Sequence, residues 1–191
     1  MTAVTCGRAQ TRETGIMYSV SRLLEGGRGA QATVDRPIDH LVACHSRIEE
    51  RLQTLERAVA NLELMPEAAR EALAAVFRYF DSSGAMHTED EERSVFPRIE
   101  KRLSEEQRSY IASLEQQHRE AEDLYAQLKG VPPVGVDIAP YQDLAGRFCG
   151  LYRSHIASEN HRFVEIARGL LDEGEMAEIS KEMRARRGWL R

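Results

Sequence analysis

The sequence predicts an all-α fold, an antiparallel up-down-up-down four-helix bundle with a short extra helix at the C-terminus. Three observations support this prediction. Apolar residues recur every three or four positions along four long stretches, as on one face of a helix. Most connections between these stretches are short, and no stretch shows the alternation typical of a β-strand. The 191 residues are 42% hydrophobic, which is enough to bury one core.

The first helix is expected at Pro37, with Asp35 as its capping residue, because proline tolerates the first turn. Its predicted stripe is Ile38, Leu41, His45, Ile48, Leu52, Leu55, Val59 and Leu62. The second helix is expected to begin near Glu67, and Pro97 is expected to disturb its end. Its stripe is Leu73, Val76 or Phe77, Phe80, Gly84, His87, Glu91 and Val95.

Ser104 and Gln107 form a predicted capping box for the third helix. Its stripe is Ile111, Leu114, His118, Ala121 or Glu122, Tyr125 and Leu128. Residues 130–140 are expected to form a loop. The fourth stripe is Leu144, Phe148, Leu151, His155, Glu159, Arg162 or Phe163, Ile166 and Leu170. A fifth, shorter helix follows Gly174 and ends at Gly188.

These elements divide the chain into three predicted parts. Residues 1–36 form a flexible leader, residues 37–173 the bundle, and residues 174–191 the C-terminal helix with a basic tail. No internal repeat of the solenoid type is present.

Composition excludes several classes of protein. The net charge of −5 argues against a nucleic-acid binder, and no run approaches the roughly 20 apolar residues that span a bilayer. Cys6, Cys44 and Cys149 lack metal-finger spacing and fit a reducing compartment. No apolar signal segment opens the chain, and arginine outnumbers lysine 23 to 3, as in a GC-rich genome. A bacterial cytoplasmic setting is therefore expected.

Four of the six histidines fall on the predicted stripes, one on each helix: His45, His87, His118 and His155. A glutamate follows three of them by four residues, on the same helix face: Glu91, Glu122 and Glu159. His40 and His161 lie about 140° and 240° around their helices from the stripe histidines, so both are expected at the surface or an edge.

Imidazoles and carboxylates in an apolar core need compensation, because each one costs several kcal/mol when it is buried without a partner. A pair of metal ions would supply it, and iron, manganese or zinc suits these ligands. Two plainer interpretations are a hydrogen-bonded polar network in the core and, for any single His-Glu pair, a solvated surface pair.

The segments DHLVACHSRIEERLQTLE, HTEDEERSVFPRI, QQHREAEDL and HIASENHRFVEIA resemble the hemerythrin-like, or HHE cation-binding, domains. The resemblance covers about residues 37–188. It implies metal ligands at His45, at His87 with Glu91, at His118, and at His155 with Glu159. It further implies a non-heme di-iron centre with an oxo, hydroxo or carboxylate bridge.

Two departures separate this chain from the oxygen-carrying hemerythrins. Glu122 stands where those proteins have a second histidine on the third helix, so Glu122 is expected to supply a carboxylate as the seventh metal ligand. Asn160 stands where they have the carboxylate of the fourth helix, and Glu159 supplies a carboxylate one residue earlier. More anionic ligands stabilise ferric iron, so reversible oxygen carriage is disfavoured. The pattern on the fourth helix is similar to the hemerythrin domain of an iron- and oxygen-sensing F-box protein and to bacterial peroxide-decomposing relatives.

Several residues near the ligands are expected to shape the site. Tyr125 and Tyr152 could hydrogen-bond a guest, ligate ferric iron, act as radical sinks or simply fill the core. Phe80, Phe148 and Leu151 are expected to wall the pocket. Cys44 adjoins His45 but points about 100° away and is expected to be a packing residue.

Three functional hypotheses follow. The protein is a di-iron oxidoreductase that decomposes hydrogen peroxide in a catalase-like reaction, a module that binds or senses iron or dioxygen without turnover, or a structural bundle with a polar core. The first two imply two iron ions, with manganese or zinc as alternatives, and dioxygen or hydrogen peroxide as the small-molecule ligand. No nucleic acid, membrane or particular protein partner is implied.

Overall fold

The computed structural model describes residues 34–130 and 138–189, and these residues form helices and turns without any β-strand. The predicted leader lies outside them as far as residue 33, as do Cys6, residues 131–137 of the predicted loop, and residues 190 and 191. The α-helices are α1 (Pro37–Ala60), α2 (Pro66–Tyr79), α3 (Ala85–Asp90), α4 (Phe96–Ile99), α5 (Glu105–Gly130), α6 (Ala139–Ser158), α7 (Val164–Leu170) and α8 (Glu173–Arg186).

Shorter helical turns join some of these elements. Three are π-helical turns, with one more residue per hydrogen-bonded ring than an α-helix, at Phe80–Gly84, Glu91–Val95 and Glu159–Phe163. A 3₁₀ turn covers Glu100–Arg102. The chain therefore runs helically from α2 through α4, and again from α6 through α7.

Helix α1 begins with Pro37 in its first turn, as expected, but the predicted cap is wrong. The N-cap residue is Arg36, and it makes no side-chain cap hydrogen bond. Asp35 instead forms an ion pair with Arg184 of α8. The C-terminal helix thus offers Asp35 a cationic partner that spacing along the first helix could not reveal. Every residue of the predicted α1 stripe is buried.

Several other predicted signals lie at helix ends, although the C-terminal helix begins at Glu173 and includes Gly174, after which it was expected to start. Ser104 and Gln107 form the capping box at α5, with the backbone nitrogen of each bonded to the side chain of the other at 2.9 and 3.2 Å. Pro97, which was expected to disturb the end of the second helix, lies in the first turn of α4, directly after a π-helical turn, and the chain stays helical as far as Arg102. The missing amide hydrogen interrupts no regular α-helical ladder there. Gly188 has φ of +67°, the left-handed conformation that ends α8.

Two separate apolar clusters form the core. One is built from residues such as Ile48, Phe80 and Phe148, and the other from residues such as Leu41 and Phe163. The stripe histidines and their glutamates lie along the chain where the helices pass from one cluster to the other. Apolar side chains therefore enclose a polar layer from both ends.

Ion pairs join the C-terminal helix α8 to the helical run α2–α4, which carries His87. Asp172 caps it in a capping box with Glu175, and Arg98 makes a bidentate ion pair with Glu182 at 2.6 and 3.1 Å. At its end, Arg186 and Arg187 both bind the fully buried Asp90, at 2.5 and 2.6 Å.

This packing corrects the prediction for His40, which is buried and not at the surface. Helix α8 packs against α1, so a face that would be open in a four-helix arrangement is covered. Burial and the positive charges of Arg187 and Arg47 lower the pKa of His40 to about 4. His161 is exposed, as predicted. No helix among the described residues is both long and apolar enough to cross a membrane.

Candidate metal centre

Six of the seven predicted ligands come together in the polar layer. Within each of two groups, one possible ligand atom per residue lies within 4.8 Å of the others. The first group is His45, His87, Glu91 and Glu159, and the second is Glu91, His118, His155 and Glu159. Glu91 and Glu159 belong to both groups, so each of these carboxylates could contribute a ligand atom to either group.

Both shared carboxylates open a π-helical turn. Glu91 is the first residue of Glu91–Val95, and Glu159 is the first residue of Glu159–Phe163. A π-helical turn adds a residue and rotates the following side chains, and such turns concentrate at functional sites. Here they keep each carboxylate one turn after its histidine while Val95 and Phe163 still reach the apolar cluster.

Three of the four histidines are held through Nδ1 by residues whose supporting role the sequence had not indicated. The contacts are His45 with Oδ1 of Asn160 at 2.8 Å, His118 with Oε1 of Glu92 at 2.8 Å, and His155 with Oε1 of Gln117 at 2.9 Å. Since each partner atom is an oxygen, Nδ1 must donate. In the neutral ring, Nε2 then carries the lone pair, and it faces the other ligands.

The inward-facing atoms lie close together. Nε2 of His118 and Nε2 of His155 are 3.0 Å apart. Nε2 of His45 and of His155 each lie 3.1 Å from Oε2 of Glu159. Nε2 of His87 lies 3.5 Å from Oε1 of Glu91, and Nε2 of His118 lies 3.4 Å from Oε2 of Glu91. Two lone pairs that face each other at such a distance require a proton or a cation.

Several of these buried atoms make no hydrogen bond with any described residue. They are Nε2 of His45, both ring nitrogens of His87, and all four carboxylate oxygens of Glu91 and Glu159. Buried polar groups are normally paired, because an unpaired one costs roughly 1–3 kcal/mol. Nitrogen and oxygen donors without thiolates suit iron, manganese or zinc. The donor set and its missing partners therefore fit a pair of metal ions.

Burial and neighbouring charged or hydrogen-bonding groups shift the pKa values of both carboxylates. Burial and the negative charge of Glu159 raise the pKa of Glu91 to about 8. Burial also opposes the ionisation of Glu159, but its closeness to His155 and His45 outweighs burial and lowers its pKa. Of the two carboxyls in this buried layer, Glu91 is thus the one expected to keep its proton in the metal-free protein.

The histidines are perturbed in opposite directions. Burial opposes protonation of His118, but contacts with Glu91 and Glu92 raise its pKa to about 10. Burial, followed by the charge of His45, lowers the pKa of His87 well below its usual value. Metal ligation requires neutral imidazoles, so metal binding must displace a proton from His118.

Glu122, the seventh predicted ligand, does not join the cluster. It is exposed and lines a cavity of about 580 Å³ that opens beside His118. Ala121, the alternative at this point of the stripe, is the residue that packs in the core. The helix therefore turns Glu122 toward the cavity.

The same cavity is lined by two of the three residues that were predicted to wall the pocket. Phe80, Phe148, Tyr125 and Tyr152 line it, whereas Leu151 packs against the apolar cluster and does not. The hydroxyl of Tyr125 donates to the backbone oxygen of Phe77 at 2.9 Å and contacts Asp81 at 2.8 Å, so it is held away from the ligands. The Tyr152 ring lies at 6.3 Å from that of His155, between centroids. Cys44 is buried, as expected of a packing residue.

The chain matches a family model and a known protein. The family model described as the hemerythrin HHE cation binding domain matches residues 36–167. The chain is also 32% identical over 163 residues to an uncharacterized protein of Haemophilus influenzae, an alignment that covers 82% of this chain and 92% of that protein. The chain belongs to the hemerythrin HHE cation-binding domain family.

Proposed function

We propose that this protein is a non-heme di-iron protein that reacts with dioxygen or hydrogen peroxide, and that it decomposes peroxide in a catalase-like reaction. The observation that carries the proposal is the pair of four-residue groups that share Glu91 and Glu159. Family membership supports cation binding, and the unpaired buried oxygens and nitrogens support occupancy by metal.

The proposed frame for the site is an antiparallel up-down-up-down bundle. Helix α1 packs against α2 and α6, and α5 packs against α6, which are three of the neighbour contacts that this topology requires. Each helical run would then deliver one histidine to the same layer. Residues 174–191 would add the C-terminal helix and its basic tail outside the bundle.

His45, His87, His118 and His155 would hold the two ions through Nε2, with Glu91 and Glu159 between them. Two iron ions can together take up and return two electrons, which is what the conversion of two hydrogen peroxide molecules to two waters and one dioxygen requires. The ligands' anionic charge favours ferric iron. Manganese or zinc would satisfy the same donors, but zinc could not exchange electrons.

The chain's own residues control access to this layer. The cavity is lined by His118 and Tyr152, so a small guest would pass the Tyr152 side chain on its way to this layer. Burial raises the pKa of Tyr152 and keeps its proton in place. The buried rings of Phe80 and Phe148 exclude bulk water from the wall behind it.

Oxygen release from hydrogen peroxide by the iron-loaded protein tests the proposal. We expect oxygen evolution that His87→Ala abolishes and His161→Ala preserves. His161 is the matched control because it is an exposed histidine outside both ligand groups. If iron-loaded protein releases no oxygen, or if His87→Ala behaves like wild type, the catalase-like reaction is refuted.

The second candidate, an iron or dioxygen sensor, is favoured by the contact between α8 and the site. Asp90 adjoins the ligand Glu91 and binds Arg186 and Arg187, so a change at Glu91 is coupled to the C-terminal helix. Loss of metal would leave buried charges unpaired and loosen this contact. A sensor without turnover predicts no oxygen release but much faster proteolysis of the metal-free form. Equal digestion of both forms would contradict it.

A further inference from the structure

The histidines of the two ligand groups differ in the hydrogen-bond partner of their Nδ1 atoms. His45 and His155 donate to neutral amide oxygens, those of Asn160 and Gln117. His118 donates to a carboxylate, that of Glu92, at 2.8 Å. The two ligand groups are therefore chemically unequal, because only the group with His118 includes a carboxylate-supported imidazole among these three contacts.

A carboxylate that accepts a hydrogen bond from Nδ1 changes how strongly the imidazole binds a metal ion through Nε2. It fixes the ring orientation and the tautomer, and it pushes electron density toward Nε2. An amide oxygen fixes the orientation equally well but supplies no charge. The ring of His118 is thus expected to be the strongest imidazole donor of the three.

The same histidine faces the cavity. His118 is 8% exposed, whereas His45, His87 and His155 are 2–3% exposed, and His118 lines the cavity while the other three do not. Glu92 lines the cavity too, and its side chain is 37% exposed. A partly exposed glutamate on a helix is normally solvated, but Glu92 accepts a hydrogen bond from the buried ring of His118.

We propose that Glu92 is a positioning residue for the ion position held by His118 and His155, and that this position is the one a small molecule reaches through the cavity. The proposal rests on the proposed di-metal function. Through His118, Glu92 strengthens binding at this end and stabilises the more highly charged oxidation state there, without touching the ion itself. The position at His45 and His87 lacks this support and lies away from the cavity lining.

Zinc titration of chelator-treated protein tests the binding part, with calorimetry to resolve two binding events. Glu92→Gln is the informative substitution, because it gives His118 the same kind of amide partner that His45 and His155 have. We expect one event to weaken about 10- to 100-fold and the other to stay within about twofold. Glu89→Gln is the matched control: Glu89 lines the same cavity but pairs with Arg93 at 3.3 Å. It should leave both events unchanged.

Gln117→Glu provides the reciprocal test. It places a carboxylate behind His155, in the same group as His118, so the same binding event should strengthen. In iron-loaded protein, Glu92→Gln should raise the midpoint potential and Gln117→Glu should lower it. A merely structural role for Glu92 would not produce opposite shifts.

The outcomes separate this inference from the function on which it rests. If wild type shows no second binding event, the di-metal function fails. If wild type binds two ions but Glu92→Gln weakens neither or weakens both equally, or if the midpoint potential of the iron-loaded protein does not move, the role of Glu92 is refuted.

Discussion

Replacing Glu91 with glutamine should stabilise the metal-free protein while it weakens metal binding. Glutamine has nearly the shape of the protonated glutamic acid, and burial together with the charge of Glu159 raises the pKa of Glu91 to about 8. In the unfolded chain this carboxyl has its ordinary pKa of 4.5. Between these two values the folded protein keeps a proton that the unfolded chain has lost. Rising pH therefore favours the unfolded chain.

The expected change in the free energy of unfolding follows from the pH range between these two pKa values. The stabilising protonation is fully present below about pH 4.5 and is lost as the pH rises through 8. At about 1.4 kcal/mol for each pKa unit, Glu91 should reduce the free energy of unfolding by roughly 3–4 kcal/mol between pH 5 and pH 8. Glu91→Gln removes this dependence, so the variant should exceed wild type at pH 8 and match it near pH 5.

Urea unfolding of chelator-treated protein at both pH values, followed by the helical circular dichroism signal, measures the difference. Glu122→Gln is the control, because Glu122 is an exposed glutamate outside the cluster. If the buried groups were a self-sufficient polar network, removing one charged partner would instead cost about 3–5 kcal/mol at both pH values. That result, or an unchanged pH dependence, would refute the reasoning.

Three further outcomes are expected. His87→Ala should lower the metal content from two ions per chain, because it removes the histidine whose two nitrogens have no hydrogen bond with described residues, and elemental analysis measures this. Glu122→Gln should leave the metal content unchanged in the same measurement. Arg187→Ala should lower the free energy of unfolding by about 2–3 kcal/mol in urea titration, since it takes one of two arginines from the buried Asp90. An unaltered stability would show that Arg186 alone satisfies this carboxylate.

Helical spacing is a strong local constraint, and it was sufficient to predict which six side chains come together in the polar layer. His45, His87, His118 and His155 all lie in the buried stripes, and a carboxylate four residues on shares the face of its histidine. The same rule was ambiguous at Ala121 and Glu122, which are neighbours on the edge of a stripe. The structure turns the smaller, apolar residue inward.

Contacts between distant segments were not predictable in this way. Asn160 lies 115 residues from its partner His45, and Gln117 lies 38 from His155, so neither pairing leaves a local pattern. The π-helical turns at Glu91 and Glu159 were missed because an added residue in one turn hardly alters the spacing of a short stripe. The prediction for His40 was wrong because the angle of a residue around α1 carries no information about α8, which packs against α1.

Metal content after expression in iron-replete medium tests the central claim most directly. We expect two iron ions per chain in the purified protein, with near-ultraviolet absorption from a bridged ferric pair, and a visible band only if a tyrosinate binds iron. Glu91→Gln and His87→Ala should fall below two ions per chain, whereas His161→Ala should not. A wild-type protein that holds well under one metal ion per chain would contradict the account.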